Sequence, residues 1–106
     1  MTKVEIDPGV CGFTATVEAF SEDGMEVVIK VESGCPAITA MMEELGDTFD
    51  PFELVLTQPG TNPFYQYAAD NFPVHGGCVT IAGITKAVEA ACKLALPYSA
   101  SITFVD

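Results

Sequence analysis

A chain of 106 residues with 49% hydrophobic content is the length of one domain and carries ample material for a core. Four lysines, no arginine and fifteen carboxylates give a formal charge of −11, which repels phosphate backbones and offers no guanidinium fork to bind them. No apolar run approaches the ~20 residues that span a bilayer, so nucleic acid and membrane both drop out as expected partners.

Residues 1–7 read as a short polar strand and not as a secretory signal. The cytoplasm is therefore the expected compartment, where the four cysteines stay reduced unless bound or catalytic. Twelve of the fifteen acids precede residue 54, and most fall at solvent-facing positions or helix starts, the pattern of a solvated surface. A protein partner with a basic surface and a homo-oligomer both stay open.

Taken in order, residues 3–6 predict a strand ended by the turn Asp7-Pro8-Gly9. Phe13, Ala15 and Val17 then alternate with Thr14, Thr16 and Glu18, the period of a half-buried strand over 13–20. Ser21-Glu22-Asp23-Gly24 is a reversal. Met25, Val27, Ile29 and Val31 continue the alternation inward over 25–32, completing a β-hairpin.

Ser33-Gly34-Cys35-Pro36 converts strand into helix, because proline at the first helical position is preset for helical φ and has no N–H to leave unpaired. Cys35 then stands at the N-cap. Ile38, Met41, Met42 and Leu45 give the helix its core stripe and Gly46 stops it. Asp50-Pro51 and Asn62-Pro63 start two further helices, one to about residue 56 and one over 64–72.

The longest helical period follows His75-Gly76-Gly77-Cys78, with Ile81, Ile84, Val88, Ala91 and Ala95 on one stripe of a helix over 79–96. Pro97 breaks it, and alternation over 100–105 predicts a final strand that joins the hairpin. The expected class is α+β: an antiparallel sheet of N-terminal hairpin plus C-terminal strand, with three to four helices on one face.

Three cysteines from remote stretches sit at element junctions with glycine beside or just before them: Cys11, Cys35 and Cys78. Cys11 starts one hairpin strand and Cys35 follows its partner, so the two are expected level across the hairpin. Cys35 and Cys78 begin helices, where the backbone dipole favours a thiolate.

One reading is a shared metal or iron–sulfur site of Cys11, Cys35 and Cys78 with His75 as a fourth ligand; thiolates with imidazole suit tetrahedral zinc, and an all-thiolate set suits iron–sulfur. The other is that these are small buried hydrophobes at tight turns, structural in a protein-interaction or assembly module. No CxxC pair supports the first reading. A Cys11–Cys35 disulfide is a third arrangement, disfavoured in a reducing compartment. Cys92 lies fourteen residues past Cys78 on one helix, about 21 Å away, and reads as core.

Other chemistry is thin. Gly76-Gly77 lacks the Gly-Lys-Ser/Thr of a phosphate loop. Cys78 with His75 could make a thiol nucleophile, yet no Asn or Asp is placed to orient the imidazole. A non-enzymatic role is expected.

Gly9-Val10-Cys11-Gly12-Phe13, Ser33-Gly34-Cys35, His75-x-x-Cys78, Ile84-Thr85-Lys86-Ala87-Val88-Glu89 and Leu94-Ala95-Leu96-Pro97 together resemble a family of small uncharacterised proteins of anaerobic microbes. That family's pattern runs GVCGF, a second cysteine before a helix, H-x-x-C-P-x-P, and a helix ending in LALP. The resemblance spans nearly the whole chain. It departs after Cys78, where Val79-Thr80-Ile81 replaces the prolines. It implies the fold and the candidate ligands, and no reaction. A fainter similarity, to TSCPD-type four-cysteine domains, rests on Cys11, Asp23-Gly24, Gly34-Cys35-Pro36 and Cys78, and implies a common layout.

Overall fold

The computed structural model describes residues 1–71 and 78–106. The alternating N-terminal stretches become strands β1 (Thr2–Ile6), β2 (Ala15–Phe20) and β3 (Val27–Ser33). Helix α1 (Pro36–Leu45) follows, then a two-residue strand β4 (Thr48–Phe49), and helices α2 (Pro51–Val55), α3 (Pro63–Asn71) and α4 (Val79–Ala91). The strands form an antiparallel sheet in the order β1-β2-β3-β4. The class is α+β, as the alternation and helical stripes predict.

Side-chain alternation decides which face of the sheet is core. Ala15, Val17 and Ala19 of β2 and Val27 and Ile29 of β3 are buried, whereas Phe20, Val28, Lys30 and Glu32 are exposed on the other side. Helix α4 packs across β1, β2 and β3, and buries Ile81, Ile84, Ala87 and Val88. Helix α1 packs on β3 through a stripe that buries Ile38 and Met41. Leu54 and Phe64 bring α2 and α3 into the same core, with the Phe64 ring centred 5.1 Å from that of Phe49. Burying one such ring contributes about 1.5–3 kcal/mol.

Two residues set the spacing between layers. A Cβ on Gly83 would lie 2.7 Å from Ile6 Cγ1, so glycine is what lets α4 approach β1 this closely. Asn62 is buried where α2, α3 and α4 meet. Its Oδ1 accepts the Tyr65 N–H at 3.0 Å, and its Nδ2 donates to the Leu54 carbonyl at 3.2 Å and to Thr85 Oγ1 at 3.3 Å. One side chain thus caps a helix and ties two others to it.

Several expectations need correction. No C-terminal strand forms: residues 96–106 carry no regular structure and are exposed throughout, Ile102 at 81% and Phe104 at 91%. The alternation over 100–105 is present in the residues, but the segment pairs with no strand among the described residues. The sheet is completed by β1 and β4 instead.

Helix α4 stops at Ala91, short of residue 96. Lys93 takes a left-handed φ of 59°, its N–H bonds the Ala90 carbonyl at 3.2 Å, and the Leu94 N–H bonds the Glu89 carbonyl at 2.8 Å. That is a Schellman closure without the glycine that usually announces one.

Met25, expected inward, is 63% exposed, because Asp23 takes the Met25 and Glu26 N–H groups and the turn runs on past Gly24. Phe13 is exposed also, since β2 begins only at Ala15, after a turn in which the Gly12 N–H bonds the Gly9 carbonyl at 3.0 Å. Among the described residues, no helix is long and apolar enough to cross a membrane.

Candidate functional site

The direction of α4 establishes which chain segments share an end of the sheet. At its C-terminus, the Cys92 carbonyl lies 3.8 Å from where a Cβ on Gly24 would stand, so this end meets the β2–β3 loop. Gly83, in the second turn, sits on Ile6 at the end of β1. Cys78 precedes Gly83 by five residues, about 7.5 Å at ~1.5 Å per residue, and therefore stands at the opposite end, away from the β2–β3 loop.

The same end receives the other two candidate cysteines. Ile6 pairs with Ala15, and Ala15 with Ser33, so these three residues mark one edge across the sheet. Cys11 lies in the connection between Ile6 and Ala15, and Cys35 lies two residues beyond Ser33. A Cβ on Gly34 would stand 3.3 Å from Phe13 Cδ1, so the ring two residues after Cys11 covers the backbone one residue before Cys35.

Cys11 and Cys35 are nonetheless not level. Extending the β2–β3 register by two residues puts Phe13, not Cys11, opposite Cys35, and the chain has already turned away at Gly12.

The three thiols differ in setting. Cys11 is exposed, on a connection whose residues 9–14 are all exposed. Cys35 and Cys78 are half-buried and occupy the N-caps of α1 and α4 in extended conformation (φ −74°, ψ 116° and φ −66°, ψ 117°), neither with a side-chain capping hydrogen bond. By contrast the N-cap of α2, Asp50, accepts the Phe52 N–H at 2.9 Å. Cysteine in place of Ser, Asp or Asn at two helix starts forgoes that bond and sets a polarisable sulfur near the positive end of the helix dipole. Cys35 is further held by its own N–H, which donates to Ser33 Oγ at 3.1 Å.

Tyr65, in the first turn of α3, lies within electrostatic reach of Cys78. Burial pushes its hydroxyl above the ordinary tyrosine value of 10.0, and the negative charge that Cys78 carries as a thiolate adds to the effect. Cys92 behaves as expected: it is buried in the core at the C-cap of α4. All four cysteines are free thiols. His75 lies outside the described residues.

The structure thus gathers the junctions that carry Cys11, Cys35 and Cys78 at one end. Among the described residues, no group of three or more His, Cys, Asp or Glu side chains is disposed to hold a metal ion. A separate surface depression of about 490 Å³, bounded by Leu45, Glu53, Pro63 and Tyr67 among others, involves none of the cysteines.

The chain belongs to a family of unknown function (DUF6951), whose model matches residues 2–104. No curated protein and no solved structure is similar to it.

Proposed function

We propose that this member of the DUF6951 family binds a soft metal ion or an iron–sulfur cluster at the cysteine end of its sheet, through Cys11, Cys35 and Cys78 with His75 as a further ligand. The observation that supports the reading is topological. The β1–β2 connection, the β3–α1 junction and the start of α4 are remote in sequence, each carries one cysteine, and all three arrive at the same end. Thiolates with one imidazole suit zinc, and thiolates alone suit an iron–sulfur cluster.

Two of the ligands stand on helix N-termini, where the dipole offsets part of the repulsion a thiolate meets in a chain of charge −11. The third is carried by the exposed connection 9–14, bounded by Gly9 at φ 85° and Gly12 at φ 72°. Binding would require this connection to close on Cys35 and Cys78, ordering the exposed segment and releasing the thiol protons.

Anaerobic purification followed by metal analysis, then reconstitution with zinc or with iron and sulfide, tests the proposal. One ion or cluster per chain is expected. Cys11→Ser, Cys35→Ser and Cys78→Ser should each abolish or sharply weaken it, and Cys92→Ser should retain it. A folded protein that takes up neither metal sinks the reading.

A further inference from the structure

The strand-like segment at residues 100–105 and the outer edge of β1 are two halves of one unused pairing. Strand β1 is a terminal strand of the sheet, so one row of its N–H and C=O groups has no strand partner among the described residues. It is five residues long, whereas β4 at the other edge has two. An exposed edge of this length is a template for another strand.

The segment itself alternates Ile102 and Phe104 with Ser101, Thr103 and Val105 and is rich in β-branched and aromatic residues. Residues 99–106 make no backbone hydrogen bond to other described residues. Ile102, Phe104 and Val105 are 81%, 91% and 93% exposed, and Leu96 and Tyr98 are exposed as well.

We infer that residues 100–105 add as a fifth strand to the β1 edge of a second copy of this chain. The inference stands apart from the metal reading and uses no cysteine. The side-chain patterns match: Thr2, Val4 and Ile6 turn to the core face of the sheet while Lys3 and Glu5 face out. A strand presenting Ile102 and Phe104 on the core side and Ser101, Thr103 and Val105 on the side of Lys3 and Glu5 continues the apolar face of the sheet and leaves Val105 alone apolar on the other.

Charge points to another copy as the occupant. Residues 94–105 contain no ionisable side chain except Tyr98, in a chain of −11, so this is where two such acidic molecules approach with least repulsion. The chain's own edge is not taken up by its own segment, which lies exposed beside no strand. Reciprocal exchange would cover the Phe104 ring of each copy, two rings of roughly 300–500 Å² in all. Ile102 and the paired backbone of each copy add to this, toward the ~1,200 Å² of a stable interface.

Sedimentation velocity of the full chain in reducing buffer, read together with hydrogen exchange, tests this. Self-association is expected, and the double variant Ile102→Asp/Phe104→Asp should weaken it at least tenfold. Because both side chains are exposed in the single chain, the variant's far-UV circular dichroism and unfolding midpoint should match the wild type at concentrations where both are monomeric. In the associated wild type, outward amides of Thr2–Ile6 should exchange slowly, and in the variant fast. A wild type that stays monomeric, an oligomer indifferent to the double variant, or slowed exchange that spares β1 would each overturn the inference. So would slowed exchange at β1 in a monomer, which would mean the chain closes on itself.

Discussion

At one end of the sheet the β2–β3 loop is held by its own side chains; at the other, three segments meet at cysteines that cap nothing. In the loop, Ser21 Oγ donates to the Glu26 carbonyl at 2.6 Å and accepts the Gly24 N–H at 2.9 Å. Asp23 Oδ1 accepts the N–H groups of Met25 and Glu26 at 2.8 and 3.2 Å. The C-terminus of α4 closes onto this loop with its carbonyls taken up by Lys93 and Leu94. At the cysteine end, the N-caps of α1 and α4 lack a capping side-chain bond, and the connection 9–14 is exposed along its length. Side-chain hydrogen bonds tie the first end together. The second carries two helix starts without a side-chain capping bond among the described residues, which is where a ligand has something to add.

The largest expected effect that probes this contrast comes from Gly83→Ala. Alanine normally favours a helix over glycine by about 1 kcal/mol. Here the added Cβ meets Ile6, and the variant should instead lose about 1–3 kcal/mol in denaturant unfolding as α4 lifts from β1 near the cysteine end. A neutral or stabilised variant would mean that α4 does not press on β1 there, and the assignment of Cys78 to that end would fall with it.

Asp23→Ala should destabilise the loop end alone and carry a pH signature. Backbone N–H donors from Met25 and Glu26 hold the Asp23 carboxyl below its ordinary 3.8. A group depressed in the folded state stabilises above its unfolded value, and that contribution fades as pH falls through the folded one. The gap in unfolding midpoint between wild type and variant should therefore be full at neutral pH and close in acid below the ordinary carboxylate range. Alkylation rates of Cys11, Cys35 and Cys78 should not change. If they shift, the two ends are coupled and the contrast is too sharp.

The smallest effect is spectroscopic. Cys78→Ser removes the charge that adds to the raised Tyr65 value but leaves the phenol half-buried, so its tyrosinate transition should move down while staying above its ordinary value. The sign follows from the neutral phenol being favoured in the fold: its contribution is present below the unfolded value and lost as pH rises through the raised folded one. Ultraviolet absorbance during alkaline titration reads this directly. An unmoved transition would separate Tyr65 from Cys78.

Elements whose signal lies in neighbouring residues were legible. The alternation of Ala15, Val17 and Ala19 placed β2 on the core, and the cap-and-proline pairs Cys35-Pro36, Asp50-Pro51 and Asn62-Pro63 placed three helix starts. Elements that depend on a distant partner were not. Two-residue β4 has no period of its own and exists because β3 offers it an edge. The same dependence removed the expected strand at 100–105, where a strand-like pattern has no strand partner among the described residues. The end of α4 misled for a third reason: Lys93 takes the left-handed position that glycine usually marks. At the candidate site, the cysteines could be singled out by their junctions and glycines, but Tyr65 could not, since nothing near it in sequence points to Cys78.

By itself, then, the sequence determined the α+β class and the core faces of the hairpin and helices, because each follows from local periodicity. Only the tertiary structure decided that the β1–β2 connection, Cys35 and Cys78 share one end of the sheet, that Gly83 sets the distance of α4 from β1, and that residues 100–105 stay unpaired within the chain. Those depend on helix direction, strand register and surface already occupied, which no stretch of neighbouring residues encodes.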